Sequence, residues 1–313
     1  MPADPAPVKV GVIGVGHLGS RHARIYSELP RVDLLGVVDI EAGRAERVAA
    51  DLRVPGWSDW RRLPDTVEAV SLAVPTALHG RLGVEILESG LDLLVEKPIT
   101  ATLEEADLLV ETARRHGRIL MVGHTERFNP AVEALRRVVS RPRFIETERM
   151  ASFAPRSLDI DVVLDLMIHD LDLLLMLAGP EVEEIRAIGI NAFTDKVDIA
   201  NARIRFASGC VANLTASRIS RERVRKLRIF QDRSYFSLDF AAQQVIGYRL
   251  LPADGGFPSV SQQTLEVEPG EPLRRQLDQF AEVVRSRETA PCTGEDGSRA
   301  LRLAHRILEE MQA

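Results

Sequence analysis

Cysteine is almost absent from this chain of 313 residues, which contains only Cys210 and Cys292. Two cysteines are too few for a disulfide framework or a cysteine-rich metal site, so a reducing compartment is expected, with the cytoplasm as the default. The seven histidines include no closely spaced pair of the kind that binds zinc. No metal site is therefore predicted.

Long apolar runs and an excess of positive charge are also missing. The longest apolar stretch, residues 162–177, is interrupted by three acids and a histidine, whereas a membrane helix needs about 20 mainly apolar residues. Residues 1–7 have neither a basic start nor an apolar core, so no signal peptide is expected. The net charge of −6 gives no general attraction to nucleic acid or anionic lipid. We therefore expect a small-molecule ligand, with neither nucleic acid nor membrane as a partner.

The chain does have enough apolar residues, 45%, and enough length to build two domains. Residues 1–123 alternate between strand-like and helix-like segments, which predicts a Rossmann-type doubly wound parallel sheet. Its strands are predicted at residues 8–13, 32–38, 67–74, 91–96 and 119–122, with helices ending near residue 29 and at residues 77–89 and 103–116.

Residues 124–313 are richer in strands and predict an α+β domain with a large, mostly antiparallel open sheet. Its strands are predicted at residues 143–150, 182–192, 199–206, 210–218, 225–231, 234–239 and 244–250, and its helices at residues 162–177, 274–287 and 298–312. A turn or hairpin loop is predicted at residues 254–258. Helix boundaries are marked by a capping box at Thr102 and Glu105, by Gly117, and by Asn129 before Pro130.

A glycine motif follows the first predicted strand and opens the first predicted helix: Gly14-Val15-Gly16-His17-Leu18-Gly19. In this context the glycines allow a tight turn, close approach to a pyrophosphate and close helix packing, while the helix N-terminus offers N–H groups to the anion. Asp39 ends the second strand, where an acid can bind both ribose hydroxyls, and this favours NAD over NADP. Asp39 can also be a solvated strand-end acid, and nearby Arg44 leaves NADP open.

Asp165 and His169 lie four residues apart in the apolar stretch, a spacing that places both on one helical face. Burying an ionisable group without a partner is costly, and a carboxylate beside an imidazole sets its tautomer and raises its basicity. This pair is therefore predicted to carry chemistry. Asp170 and Asp172 are predicted to be satisfied acids on a polar rim.

Three segments together match a known family: the glycine motif with His22, then Glu96-Lys97-Pro98, then residues 123–130. The chain resembles the glucose-fructose oxidoreductase, inositol dehydrogenase and MocA family along nearly its whole length. The resemblance implies that Lys97, Asp165 and His169 are catalytic and that the bond before Pro98 is cis. It also implies cofactor contacts for Gly14, Gly16, His17, Leu18, Gly19, Asp39, Pro75, Thr76, His79, Glu96 and Lys97. His79 can equally be a helix-surface residue.

Residues 161–170, 126–130 and 215–218 resemble the branch of the family that oxidises the 3-hydroxyl of UDP-N-acetylglucosamine. That resemblance implies an NAD-dependent dehydrogenase whose 3-keto product passes to an aminotransferase, toward a lipid A variant with amide-linked acyl chains. Substrate contacts are then expected from Arg127, Asn129, His169 and Arg218. The chain departs from many relatives at residues 157–161 and at His124. Alternatives are an inositol or other free-sugar dehydrogenase, and a non-catalytic dinucleotide sensor.

Oxidising a secondary alcohol needs a base for the hydroxyl proton and a positive group for the developing alkoxide. We assign His169 as the base, Lys97 as the alkoxide stabiliser and Asp165 as the orienting anion, although the roles of His169 and Lys97 can be exchanged. A basic run, Arg218, Arg221, Arg223, Arg225, Lys226 and Arg228, can face a diphosphate, solvent or a second subunit.

The C-terminal sheet is expected to bury its open face by self-association, giving a homodimer or homotetramer. The alternating apolar residues Val211, Leu214, Leu227 and Ile229 are assigned to that face.

Overall fold

The computed structural model describes residues 6–154, 160–252 and 257–312. Their contacts divide the chain into two compact units. The first comprises the residues up to His124 together with Leu273–Ser298, and the second comprises Thr125–Pro272 with the residues from Arg299 onward. The helix expected at residues 274–287 thus groups with the first unit. One departure from the family was noted at residues 157–161, and residues 157–159 lie outside the described residues. The turn was predicted at residues 254–258, and residues 254–256 also lie outside them.

The first unit is built on a six-stranded sheet in which every neighbouring pair is parallel. Its strands are β1 (Val8–Ile13), β2 (Val32–Val38), β3 (Gly56–Trp57), β4 (Ala69–Leu72), β5 (Asp92–Val95) and β6 (Leu120–Val122). Its helices are α1 (His17–Glu28), α2 (Ala42–Leu52), α3 (His79–Glu88), α4 (Leu103–His116), most of α7 (Pro272–Ser286) and the start of α8 (Gly294–Glu310).

The strand order β3-β2-β1-β4-β5-β6 reverses direction between β1 and β4, so the carboxyl ends of these two strands form a topological switch point. Ligands of open α/β sheets bind at such points. The expected Rossmann fold is confirmed, while α2 and the short strand β3 were not predicted. Helix α2 buries only the small side chains of Ala45 and Ala49, and β3 is two residues long, so neither contains an apolar run.

Caps close helix α4 as the sequence predicts. The Thr102 hydroxyl accepts a hydrogen bond from the Glu105 N–H at 3.2 Å, which satisfies one of the free donors of the first turn. Gly117 follows the last turn with φ of +62°, a left-handed conformation that glycine adopts without strain.

The second unit is built on an eight-stranded sheet with the order β14-β13-β12-β11-β7-β10-β9-β8. Only β7 and β10 pair in parallel, so the expected mostly antiparallel sheet is confirmed. The strands are β7 (Pro142–Met150), β8 (Val182–Ile190), β9 (Ile199–Phe206), β10 (Val211–Ser217), β11 (Val224–Gln231), β12 (Ser234–Asp239), β13 (Gln244–Leu251) and β14 (Ser259–Thr264). Strand β14 was not predicted, because its polar sequence lacks an apolar alternation.

Helices α5 (Pro130–Arg136) and α6 (Ile168–Ala178) and the end of α8 pack with one face of this sheet in a single apolar core. Leu214, Leu227 and Ile229 belong to that core and are at most 1% exposed. Their assignment to the open face was wrong, because the strand alternation points them toward the helices; Val211 has the opposite phase and is half-buried.

No helix among residues 6–154, 160–252 and 257–312 has both the length and the apolar character needed to cross a bilayer.

Candidate dinucleotide site and candidate catalytic residues

The glycine motif forms a tight turn between β1 and α1, and the side chains of ordinary residues would not fit there. Gly14 has φ of +84°, and a Cβ on it would lie 2.7 Å from the Ala73 carbonyl oxygen. A Cβ on Gly19 would lie 1.7 Å from the carbonyl oxygen of Gly14. Gly16, by contrast, faces open space, as expected where a pyrophosphate approaches the backbone at a helix N-terminus. The loop therefore fits the cofactor predicted from the sequence.

Asp39 follows β2 directly and is buried at the rim of this loop. Its carboxylate accepts hydrogen bonds from the N–H groups of Val15 and Glu41, both at 3.0 Å. The Arg44 guanidinium contacts the same carboxylate at 3.2 Å and also binds Glu41 at 2.6 Å. Arg44 is thus shared between two acids, and the fixed negative charge of Asp39 disfavours a 2′-phosphate at this position.

A cleft of about 680 Å³ lies beside the glycine loop in the first unit. Four of the predicted cofactor residues, Gly14, Gly16, Asp39 and Pro75, line it. Ile40, 90% exposed, Trp60 and Arg81 also line it, and none of these three was predicted from the sequence. A tryptophan inside a polar loop was the available signal for Trp60. His17, Leu18 and Thr76 stand near the turns that begin α1 and α3, exposed or half-buried.

Lys97 lies two residues beyond β5 and is half-buried, and its bond to Pro98 is cis, as expected. His79 is 1% exposed, so the helix-surface interpretation was wrong. Its two ring nitrogens lie 2.9 Å from the Pro98 carbonyl oxygen and 3.0 Å from that of Val74. A neutral imidazole donates from only one nitrogen. When Nδ1 carries the hydrogen, His79 donates to the Pro98 carbonyl and holds the turn that carries Lys97.

A buried polar chain lies beneath that turn. His22 Nε2 is 3.2 Å from a carboxylate oxygen of Glu96, and His22 Nδ1 is 2.8 Å from the Ser71 hydroxyl. A Cβ on Gly123 would lie 2.6 Å from Glu96, so glycine makes room for the carboxylate.

Two opposing influences act on the pKa of the Glu96 carboxyl. Burial raises the pKa, but the adjacent His22 imidazole at 3.2 Å and the Lys97 charge outweigh burial and lower it. Glu96 is therefore held as a carboxylate in the interior of the first unit. His22 was noted in the sequence only as part of a motif, because its partner lies 74 residues away in the chain.

In the second unit, Asp165 lies within a π-helical turn, Val163–Met167, that runs into α6. The sequence predicted a regular α-helix here, and its i, i+4 pattern gives no sign of a π turn. Such turns are frequent at functional sites. Asp165 and His169 are both half-buried, so each retains some access from outside the core.

Asp170 and Asp172 are each 1% exposed, and each accepts two hydrogen bonds from one arginine. Arg149 binds Asp170 at 2.8 and 2.9 Å, and Arg127 binds Asp172 at 2.6 and 2.7 Å. The expectation of satisfied acids is confirmed, but they lie in the interior and not on a polar rim. Burial lowers the pKa of Arg149, but the carboxylates of Asp170 and Glu126 outweigh burial and raise it, so the guanidinium stays charged.

The other predicted substrate residues also bind groups within the second unit. Asn129 caps α5 through the Ala131 N–H and donates to the Phe240 carbonyl at 3.1 Å. Arg218 donates to Asp198 at 2.8 Å and to the Ile160 carbonyl at 2.6 Å. Substrate contacts by Arg127, Asn129 and Arg218 therefore stay predictions, and each of these residues already has a local role.

Asp198 is fully buried and organises residues 192–194. Its Oδ2 accepts from the N–H groups of Ala192, Phe193 and Thr194 at 2.6 to 2.9 Å. Burial raises the pKa of Asp198, but these backbone N–H groups and the Arg218 guanidinium outweigh burial and lower it. The loop is consequently rigid although its side chains face solvent.

Two family models match the chain. Residues 8–124 match the "Oxidoreductase family, NAD-binding Rossmann fold" model, and residues 132–236 match the GFO/IDH/MocA C-terminal domain. The prediction of NAD as the cofactor is thereby confirmed at the level of the family. The first match covers the sheet of the first unit, and the second covers strands β7 to β11 and the first half of β12 of the second.

Among known proteins, the UDP-N-acetylglucosamine 3-dehydrogenase of Acidithiobacillus ferrooxidans is 40% identical over 308 residues, covering 98% of each chain. Its solved structure superposes with a TM-score of 0.92, covering 98% of this chain and 99% of that one. The scyllo-inositol 2-dehydrogenase (NAD(+)) of Bacillus subtilis is 33% identical over 232 residues, covering 68% of each chain. Levoglucosan dehydrogenase with NADH has a TM-score of 0.86 at 18% identity, covering 98% and 97%, and shows the fold alone.

Proposed function

This chain belongs to the GFO/IDH/MocA oxidoreductase family, and from that premise we propose that it oxidises the 3-hydroxyl of UDP-N-acetylglucosamine with NAD. The observation that carries the proposal is the 40% identity, over 98% of both chains, to an enzyme named for that reaction. The glycine loop, Asp39 and the adjoining cleft support the cofactor half of the reaction.

We assign the acid–base chemistry to three residues. The hydroxyl must lose a proton while its carbon loses a hydride, and NAD, when bound, supplies the hydride acceptor. His169 accepts the proton, Asp165 orients the imidazole, and the Lys97 ammonium stabilises the developing alkoxide. The roles of His169 and Lys97 can be exchanged. The half-buried positions of all three support this assignment, because each is shielded yet reachable.

The test is direct. Purified protein is incubated with NAD and UDP-N-acetylglucosamine, with UDP-N-acetylgalactosamine and N-acetylglucosamine 1-phosphate beside it, while NADH absorbance and product mass are followed. The proposal expects NADH together with a product lighter by two hydrogen atoms, and borohydride trapping should place the carbonyl at C3. A carbonyl at another carbon, or no turnover of any UDP-sugar, contradicts it.

Inositol oxidation is the second candidate, because the scyllo-inositol 2-dehydrogenase of Bacillus subtilis is 33% identical over 68% of the chain. The same assay with scyllo-inositol, myo-inositol and glucose separates the two candidates. Higher kcat/KM for a cyclitol than for the UDP-sugar would favour this second function.

We also propose self-association through the open face of the second sheet. Four aromatic residues form a row of ring contacts on that face, the first pair tilted and the others stacked: Phe144, Phe230, Tyr235 and Tyr248. Phe230 is 38% exposed although its ring lies 4.7 Å from that of Tyr235. An apolar row on a sheet face favours burial by a second copy. Analytical ultracentrifugation of the protein and of Phe230→Glu tests this; a monomer in both cases refutes it.

Two further parts of the proposal concern the setting of the reaction. A 3-keto nucleotide sugar is a substrate for amination, so an aminotransferase acting toward an amide-linked lipid A is the proposed next step. The two cysteines, both buried and reduced, support a cytoplasmic location.

A further inference from the structure

Three connecting segments leave the same end of the eight-stranded sheet. Met150, the last residue of β7, pairs with Ser217 at the end of β10 and with Val224 at the start of β11. Ser217 also pairs with Ile199 at the start of β9, which pairs with Ile190 at the end of β8. The segment after Met150 and the loops 191–198 and 218–223 therefore begin or end side by side.

Two of these segments carry an exposed aromatic pair. Phe153 is 46% exposed and Phe193 is 67% exposed, yet their rings meet at 5.8 Å with an interplanar angle of 68°. Asp198 holds the Phe193 backbone N–H at 2.6 Å, so the ring stands on a fixed loop. Rigid exposed aromatic surfaces bind flat apolar groups, including nucleobases, at low entropic cost.

The third segment adds positive charge beside the pair. The Ser220 N–H donates to the Ala151 carbonyl at 3.0 Å, two residues before Phe153. Arg221 and Arg223 follow directly and are exposed. In the part of the chain that the structure describes, neither guanidinium is paired with a carboxylate. Apart from the buried Arg218–Asp198 pair, these loops carry three cations, Lys196, Arg221 and Arg223, against two acids, Asp195 and Glu222.

The same loops are hydrogen-bonded to the residues just before the π-helical turn. The Val197 N–H donates to Asp161 at 2.9 Å, and the Val162 N–H donates to the Val197 carbonyl at 2.9 Å. Asp165 lies four residues beyond Asp161, about 6 Å along a helix. A ligand held on the aromatic pair therefore lies near the helix that carries Asp165 and His169.

We propose that this end of the sheet binds the nucleoside diphosphate of the substrate, with the base stacked on Phe153 and Phe193 and the diphosphate facing Arg221 and Arg223. The inference rests on the proposed function and names the subsite that distinguishes a nucleotide sugar from a free sugar. It also replaces Arg218, which is bound to Asp198 and Ile160, with two exposed arginines that meet no carboxylate among the described residues.

The test compares Phe193→Ala and the double variant Arg221→Ser/Arg223→Ser with the natural protein. Each should raise the KM for UDP-N-acetylglucosamine by roughly 10-fold or more. For Phe193→Ala the reason is stacking, because stacking of a base on one aromatic changes affinity by about 5- to 150-fold. Both should also weaken inhibition by UDP, while kcat/KM for N-acetylglucosamine 1-phosphate changes less than for the UDP-sugar. Phe193→Tyr should restore the KM.

Matched controls come from the opposite end of the sheet. Phe257→Ala removes an aromatic that is 97% exposed, and Arg143→Ser removes an exposed arginine at the start of β7; both should leave the KM unchanged. If the UDP-sugar is oxidised and the Phe193 and arginine variants keep the natural KM, the inference is overturned while the proposed function stands. If no UDP-sugar is oxidised, calorimetry with UDP alone decides: binding lost in these variants supports the subsite, and absent or unaffected binding overturns it.

Discussion

Replacing His22 by leucine should destabilise the first unit in a pH-dependent way. The leucine fills the space but leaves the Glu96 carboxyl, 5% exposed, without the imidazole that lies 3.2 Å away. Glu96 keeps the Lys97 backbone N–H at 3.3 Å and the Lys97 charge, but its pKa rises because burial then acts without its main opponent. The folded state of the variant escapes the cost by keeping Glu96 protonated.

Protonation of Glu96 in the folded variant therefore determines how much unfolding free energy the variant loses. Holding a carboxyl neutral above its ordinary pKa of about 4.3 costs about 1.4 kcal/mol per pH unit. The variant should therefore lose at most about 1 kcal/mol of unfolding free energy at pH 5 and at most about 4 kcal/mol at pH 7, the limit in which Glu96 stays protonated. The sign follows from linkage. In the variant the folded state binds the extra proton, so its stability falls as pH rises, whereas in the natural protein the pKa of Glu96 is lowered and its contribution is lost only as pH falls.

The assay is urea unfolding followed by tryptophan fluorescence. The chain has two tryptophans, Trp57 and Trp60, and both belong to the first unit, so the signal reports on that unit alone. His116→Leu, at the end of α4, is the matched control. In a Glu96→Gln background, His22→Leu should lose its pH dependence. A cost that is equal at pH 5 and pH 7, or below about 0.5 kcal/mol at both, would refute the reasoning.

Three further substitutions test other parts of the structure. Gly19→Ala should abolish NAD binding or folding of the loop, because its Cβ would lie 1.7 Å from the Gly14 carbonyl oxygen. Calorimetry with NAD measures the loss of binding. Gly43→Ala is the control, because its Cβ would have only the Arg47 side chain within 4 Å. Lys97→Met should lower kcat by about 100-fold or more while the affinity for NAD is retained. Lys9→Met is the control, and retained turnover in Lys97→Met contradicts the assignment. Asp198→Asn should lower stability by about 3 kcal/mol near neutral pH. Because the pKa of Asp198 is lowered, that difference should persist down to about pH 4 and shrink below it; thermal unfolding against pH shows whether it does.

The fold was predictable in its larger part, and the reasons can be seen in particular segments. Strands β1 and β2 are apolar runs ended by glycine and aspartate signals, and α4 has both of its caps in the sequence. Segments that bury few or no large apolar side chains, such as α2 and β14, were missed. The face of the second sheet was misassigned at Leu214, Leu227 and Ile229, because an alternating pattern shows which residues share a face but not which face is covered.

The candidate site divides in the same way. Gly14, Gly16 and Asp39 could be found from the sequence, since local backbone geometry requires those residue types at that spacing. The partners of His22, Arg127 and Arg218 could not, because each partner is distant in the chain and is met only in the folded state.

The sequence by itself determined the two-part architecture, the dinucleotide loop and the residues expected to do chemistry, because periodicity and turn residues act over short distances along the chain. Tertiary structure alone decided which charged residues are engaged internally and which face solvent. Arg218 and Arg221 look alike in the sequence, but one is held on a buried carboxylate while the other is exposed. The difference arises from strand pairing, which brings Asp198 beside Arg218 and directs the following loop outward.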